Sequence, residues 1–199
     1  MNMPSATISK ERPVHTYAEL WHASNCVLEV GLKEPEGSTW QFLSSAVLTA
    51  FTFEAYLNHI GPATLERWEE IERFSVWSKL THIRKALKVA FPGGKGARPL
   101  KTVAQLFEFR NSLAHARSVT LREQRISSAP DGLSSIHTAL REQPRTEWET
   151  LVYTSEFAQR AREDVEVVIR KLHAARTDTD DILFNSGIGM FAATLNHAP

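Results

Sequence analysis

Apolar side chains recur every three or four positions over most of this chain, and the breaks between the stripes carry residues that end helices. Over residues 17–32 the spacing predicts a helix with Leu20, Trp21, Val27, Leu28 and Leu32 mostly on one side, interrupted by Glu34-Pro35-Glu36-Gly37. Ser38 then serves as the N-cap of a long second helix to about residue 60. Its wide apolar face is Trp40, Leu43, Val47, Ala50, Phe51 and Leu57, and Gly61-Pro62 closes it. Residues 64–72 predict a short acidic helix and residues 75–90 another. The second of these buries Val76, Leu80, Ile83, Leu87 and Ala90, leaving Lys79, Arg84, Lys85 and Lys88 to the polar side. After a glycine-rich connection, Phe91-Pro92-Gly93-Gly94-Lys95-Gly96, Pro99 suits the first turn of a helix that turns Val103, Leu106, Phe107, Phe109 and Leu113 to a core.

The pattern changes after His115. Residues 119–126 and 146–154 are rich in β-branched and aromatic side chains, and Ala129-Pro130-Asp131-Gly132 between them is a turn sequence, which predicts a small hairpin with a long excursion. Residues 155–175 return to helix on Phe157, Ala161, Val165, Val168, Ile169 and Leu172. The expected fold is all-α, a bundle of four to six helices with a small β-hairpin or loop insertion after the fifth stripe, at residues 117–153. Residues 1–15 form a flexible tail in this reading, and 16–176 the helical domain. Residues 177–199, acidic at Asp178, Asp180 and Asp181 and then apolar, form a second tail that docks on the bundle or a partner, or frays.

Composition narrows the function classes. A chain of 199 residues supports one domain with a full core, and no apolar run is long enough to cross a bilayer. Residues 1–13 lack the apolar stretch of a secretory signal, so a cytoplasmic location without membrane contact is expected. Cys26 is the single cysteine, which excludes an internal disulfide and a cysteine-rich zinc site. The eight histidines show no HExxH spacing, and neither a nucleophile elbow nor a dinucleotide fingerprint occurs. Lys95 is followed by Gly96, Ala97 and Arg98 rather than Ser or Thr, so its loop is not a P-loop. No metal and no cofactor are expected.

Net charge is zero but unevenly spread: residues 79–125 carry +9, between flanks of −5 and −4. A local excess of this size is what a polyanion site needs, unless the basic helices lie against the acidic ones and the field cancels. The candidate phosphate contacts are Lys79, Lys85, Lys88, Lys95, Arg98, Lys101 and Arg117. Trp68, Trp77 and Trp148 could stack single-stranded bases, although packing is the default role of each.

Within the basic segment, Arg110-Asn111-Ser112-Leu113-Ala114-His115 holds the candidate chemistry. His titrates near neutrality, and Arg grips phosphate oxygens through a planar fork. At ~100° per residue Arg110 and His115 diverge by roughly 140°, so one continuous helix pairs Asn111 with His115 and leaves Arg110 aside. Convergence requires a helix end near Ala114 or a second copy across a two-fold axis. Arg110 extends the apolar line of Val103 and Phe107, while Glu54 and Asn58 extend that of Val47 and Phe51, which makes Glu54 and Arg110 candidates to meet inside the bundle.

Arg110-Asn111-Ser112-Leu113-Ala114-His115 resembles the R-x4-6-H motif of the HEPN superfamily, and the stretch Ala46 to Asn58, ending Glu54-Ala55-Tyr56-Leu57-Asn58, resembles the long early helix of its prokaryotic members. The resemblance covers roughly residues 16–176, without the middle insertion or the tail. It implies a helical bundle that dimerises through the motif face and a metal-independent endoribonuclease of toxin–antitoxin or phage-defence type. The implied partners are RNA, a second copy and an antitoxin protein. Arg110 would stabilise the phosphate, His115 would act as acid or base, and Asn111 would be the polar helper, with Glu54 and Asn58 behind them. The alternative is a non-catalytic module of the same type that binds RNA, nucleotide or a protein.

Overall fold

In a computed structural model that describes residues 5–123, 143–177, 182–185 and 190–196, with the backbone alone for 5–7 and 190–196, the long second stripe becomes the hub of the molecule. Helix α1 (Thr16–Lys33) and helix α2 (Thr39–Thr64) lie side by side in opposite directions: Phe42 packs where a side chain on Gly31 would sit, the Ser45 hydroxyl donates to the Ser24 carbonyl at 2.9 Å, and Tyr17 meets Tyr56 edge-on. Short α3 (Trp68–Ile71) follows, then α4 (Val76–Ala86), a 3-10 turn at Gly94–Gly96, α5 (Leu100–Ala114), short α6 (Glu147–Leu151) and α7 (Glu156–Ala174). Helix α2 touches α1, α3, α4, α5 and α7. The chain is therefore an all-α bundle, with seven helices among the described residues.

The core is one cluster. Phe42, Phe53, Tyr56, Leu57 and Ile60 of α2 meet Leu80 and Ile83 of α4, Val103 and Leu106 of α5, and Val165, Ile169 and Leu172 of α7, all fully buried. At about 1.5–3 kcal/mol for each large apolar side chain, this cluster is the main term holding the helices together. The apolar face expected for α2 is corrected in part. Ala50 and Leu57 face the core, but Trp40 is 67% and Phe51 43% exposed. Helix α2 is apolar on two sides, and the buried side runs through Phe42, Ala46, Phe53 and Tyr56 instead.

Helix boundaries follow local chemistry. Gly61-Pro62 does not end α2, because Pro62 removes a single donor near the terminus and the Leu65 N–H closes the last turn on the Gly61 carbonyl at 2.9 Å. Ser38 occupies the N-cap position, yet its hydroxyl donates to the Glu34 carbonyl rather than receiving a helix N–H. Helix α4 stops at Ala86, short of residue 90: Lys88 takes φ 55, Val89 N–H reaches the Arg84 carbonyl at 2.8 Å and Lys88 N–H reaches Lys85 at 3.2 Å, a Schellman ending with lysine in the glycine position.

Two further expectations are corrected. The second strand of the predicted hairpin, 146–154, contains α6, opened by a capping box in which Thr146 and Glu149 satisfy each other's backbone N–H groups. Residues 116–123 have no regular structure and 124–126 lie outside the described residues, so the described part of the insertion is loop and helix. Residues 1–15 are not wholly a free tail either: β1 (Ser5–Glu11) pairs antiparallel with β2 (Met190–Asn196), Ser5 opposite Asn196. The C-terminal segment docks on the bundle through Phe184, which stacks on Trp21 at 4.7 Å while its carbonyl accepts from the His22 ring at 2.9 Å.

No helix among the described residues is long and apolar enough to cross a membrane. Gly61 lets the indole of Trp68 lie against α2: a Cβ there would sit 2.4 Å from two of its ring atoms. Alanine in a helix gains about 0.5–1 kcal/mol over glycine, but forced overpacking costs about 1–3 kcal/mol. Gly61→Ala is therefore expected to lower the midpoint of urea unfolding, and an unchanged or raised midpoint would show that Trp68 moves aside freely.

Candidate functional site

One carboxylate organises the region where α2, α4 and α5 meet. The two apolar lines anticipated to carry Glu54 and Arg110 do face each other: Arg110 Nη2 donates to Glu54 Oε2 at 2.5 Å, across 56 residues of sequence. Nη1 of Arg110 donates to Asn111 Oδ1 at 3.0 Å, and its guanidinium carbon lies 5.5 Å and 5.8 Å from the ring centroids of Phe107 and Phe51. Both charged side chains are about one-quarter exposed, at 25% and 27%. The Arg110 Nε is buried without a hydrogen-bond partner among the described residues.

The other oxygen of Glu54 faces Lys79. Its ammonium lies 3.5 Å from Glu54 Oε1 and donates to Asn58 Oδ1 at 2.9 Å, and the side chain is only 4% exposed. Glu54 and Asn58 are one helical turn apart on α2, so both reach a cation arriving from α4. Lys79 thus departs from its expected place: it is neither on the polar side of α4 nor free to touch a phosphate. A buried polar group left without partners is costly, and Glu54 with Asn58 supplies partners for this one.

Above this network is a cleft of about 400 Å³ lined by Arg110, Asn111 and Phe107 of α5, Glu54 of α2, Ser75 to Trp77 at the start of α4, and Lys95. Ala104 and Glu108 complete the wall. His115 is not in it. Helix α5 ends at Ala114, and His115 is the exposed C-cap residue, its backbone N–H on the Asn111 carbonyl at 3.0 Å and its ring without a hydrogen bond among the described residues. Arg110 and Asn111 are brought together in one protomer, while His115 stands at the exposed end of the same helix.

The remaining basic candidates divide into two sets. Lys85, Lys88, Lys101 and Arg117 are exposed, and Lys95 is exposed with its ammonium 4.1 Å from the Trp77 ring centroid. Arg98 instead crosses to α7, donating from Nε to Asp164 at 2.8 Å and from Nη2 to Glu163 at 3.2 Å, and its hydrogen bond to Asp164 raises its pKa. Lys79, Arg98 and Arg110 are therefore each paired with carboxylates from the acidic flanks, which removes part of the basic excess from the surface. Trp68 is buried, Trp77 is half-buried under Lys95, and Trp148 lines a second, larger cleft of about 640 Å³ with Arg145 and Phe109 on the other flank of α5.

Ser75 and Glu108 escaped the sequence reading. Glu108 lies one turn from Ala104 and Asn111 and was within reach of a helical-face argument, whereas Ser75 enters only because α4 approaches α5 in space. Among the described residues no group of three or more His, Cys, Asp or Glu is placed to hold a metal ion. No protein-family model, no curated protein and no solved structure matches this chain.

The shared carboxylate sets an order of sensitivity. Glu54→Gln leaves two cations facing a neutral amide, whereas Lys79→Met leaves Glu54 with Arg110 and only Asn58 short of a donor. An unsatisfied buried group costs about 1–3 kcal/mol, more when charged. In chemical denaturation Glu54→Gln should destabilise more than Lys79→Met, and the double variant should lose less than the two combined. Equal and additive losses would mean that the three side chains do not act as one network.

Proposed function

We propose that this chain is a metal-independent endoribonuclease of HEPN type, working in the cytoplasm in a toxin–antitoxin or phage-defence setting. The observation that carries the reading is the held guanidinium: Arg110 is tied to Glu54 and Asn111 at the rim of a cleft, five residues before His115. A fork whose orientation is already set by Glu54 and Asn111 suits the non-bridging oxygens of a phosphodiester, where charge grows during cleavage. The 2′-hydroxyl attacks the adjacent phosphorus, its proton leaves to a base, and the 5′-oxygen of the next nucleotide departs with a proton from an acid. The products are a 2′,3′-cyclic phosphate and a 5′-hydroxyl. His115 exchanges the proton in one of these steps.

Because His115 is outside the Arg110 cleft, the reading includes a homodimer in which His115 of one protomer approaches Arg110 of its partner. The exposed Trp40 and Phe51 on α2, with the half-buried Val47 between them, lead to Arg110 and form a surface a second copy would cover. The same exposure of His115 also favours a second reading, a non-catalytic module that binds RNA, nucleotide or an antitoxin protein through the Arg110 cleft alone.

Incubation with mixed cellular RNA in EDTA separates the two. The nuclease reading expects fragments ending in 2′,3′-cyclic phosphate, a loss of about 10² or more in rate for His115→Ala, and a comparable loss for Arg110→Ala. Retained RNA affinity without cleavage by the wild type, unaffected by His115→Ala, would establish the binding module instead.

A further inference from the structure

The cleft holds more than one phosphate contact. Arg110 and Lys79 share Glu54, Lys95 stands at the rim, and Glu108 lines the wall, so three cations meet two carboxylates and one positive charge is left over. The surplus lies beside an aromatic face. Trp77, in the first turn of α4, has its ring under the Lys95 ammonium at 4.1 Å, and both residues line the same cleft as Arg110 and Asn111. Lys95 sits in the 3-10 turn Gly94–Gly96, entered through Gly93 at φ 75, where a Cβ would fall 2.6 Å from that of Ala97. Glycines on both sides of Lys95 leave its backbone few side-chain constraints, and its ammonium is held on the ring by a cation–π contact, with no carboxylate in ion-pair reach among the described residues.

We infer that Lys95 and Trp77 form a second nucleotide subsite beside Arg110, for the nucleotide adjacent to the one whose phosphate Arg110 holds. The ligand class is single-stranded RNA, because a duplex would not offer an unstacked base to Trp77. The two side chains exchange roles on binding. In the free protein Lys95 covers the indole; when the adjacent phosphate arrives, the ammonium moves to it and the ring is released to stack the base. This inference rests on the RNA reading of the Arg110 cleft and adds to it the residues that set how many nucleotides are gripped.

The test uses a 2′-O-methyl trinucleotide, which cannot be cleaved by 2′-hydroxyl attack, titrated into the full chain at several salt concentrations. Lys95→Ala should lower the slope of log affinity against log salt by about 0.7, the loss of one phosphate contact on a single strand. Trp77→Leu should weaken binding roughly tenfold at fixed salt without altering that slope, and should abolish a quench of tryptophan fluorescence seen with the wild type. Lys95 is exposed, so its variant folds as the wild type does and decides the question even where Trp77→Leu is destabilised. If Arg110→Ala weakens binding while Lys95→Ala leaves affinity and slope unchanged, the second subsite is wrong and the RNA reading stands. If the wild type does not bind the trinucleotide at all, the RNA reading fails and the subsite with it.

Discussion

The architecture around the cleft depends on a single carboxylate holding two cations. Glu54 projects from the central helix, and each of its oxygens faces a cation from a different neighbour, Arg110 of α5 and Lys79 of α4. The bond is directional where the hydrophobic core is not. Apolar burial draws α4 and α5 onto α2, but it is nearly indifferent to a small slide along the axis, and the ion pairs fix where along α2 each helix stops. Lys79 is nearly inaccessible, and this register gives its ammonium both Glu54 and Asn58 as partners. The guanidinium of Arg110 is thereby aimed by α4, a helix it does not touch through a hydrogen bond of its own among those described.

A second buried cation is hydrogen-bonded to neutral groups, with the charges of Glu166 and Glu29 acting on it from nearby. Arg162 of α7 is buried, lies 3.7 Å over the Trp21 ring, and donates to the Trp21 carbonyl at 3.1 Å and to the Ser24 hydroxyl. Burial lowers its pKa to about 10, which still leaves it charged at neutral pH. Trp21 also takes the stacked ring of Phe184, so α1, α7 and the C-terminal segment meet at one indole. The paired strands β1 and β2 then join the two ends of the chain. A two-stranded ribbon is marginal alone, and the anchoring of Phe184 brings its second strand back toward the first.

The helical stripes were legible because their period is set by local geometry. So was the Glu54 to Arg110 contact, since a charge that extends an apolar line on each of two helices has few places to go. What escaped was information held in other elements. Lys79 reads as a surface residue on α4 because nothing near it in sequence reveals Asn58 and Glu54 above it. Trp40 and Phe51 read as core because a helix apolar on two sides offers no local sign of which side is covered. Residues 146–154 have strand composition, yet Thr146 and Glu149 supply a capping box, and a satisfied helix start outweighed β propensity in so short a segment. Lysine at the left-handed C′ position of α4 broke the rule that glycine marks a helix end, so the stop at Ala86 was invisible too.

The distribution of charge argues for a site that grips few phosphates firmly over a surface that holds many loosely. Of the basic segment, Lys79, Arg98 and Arg110 are already engaged by Glu54, Glu163 and Asp164, which leaves, among the described residues, a half-buried Arg84 and the exposed Lys85, Lys88, Lys95, Lys101, Arg117 and Arg122 in a chain of zero net charge. Scattered exposed lysines give little affinity at physiological salt, where charges more than about 8 Å apart are screened from one another. A partly buried guanidinium is screened less, and Arg110 reaches a ligand with its orientation already fixed, so less freedom is lost on contact. Selectivity then comes from what the cleft admits beside that one anchored group. Its walls are aromatic at Phe107 and Trp77 and cationic at Lys95, the combination a flexible single strand satisfies and a rigid duplex does not.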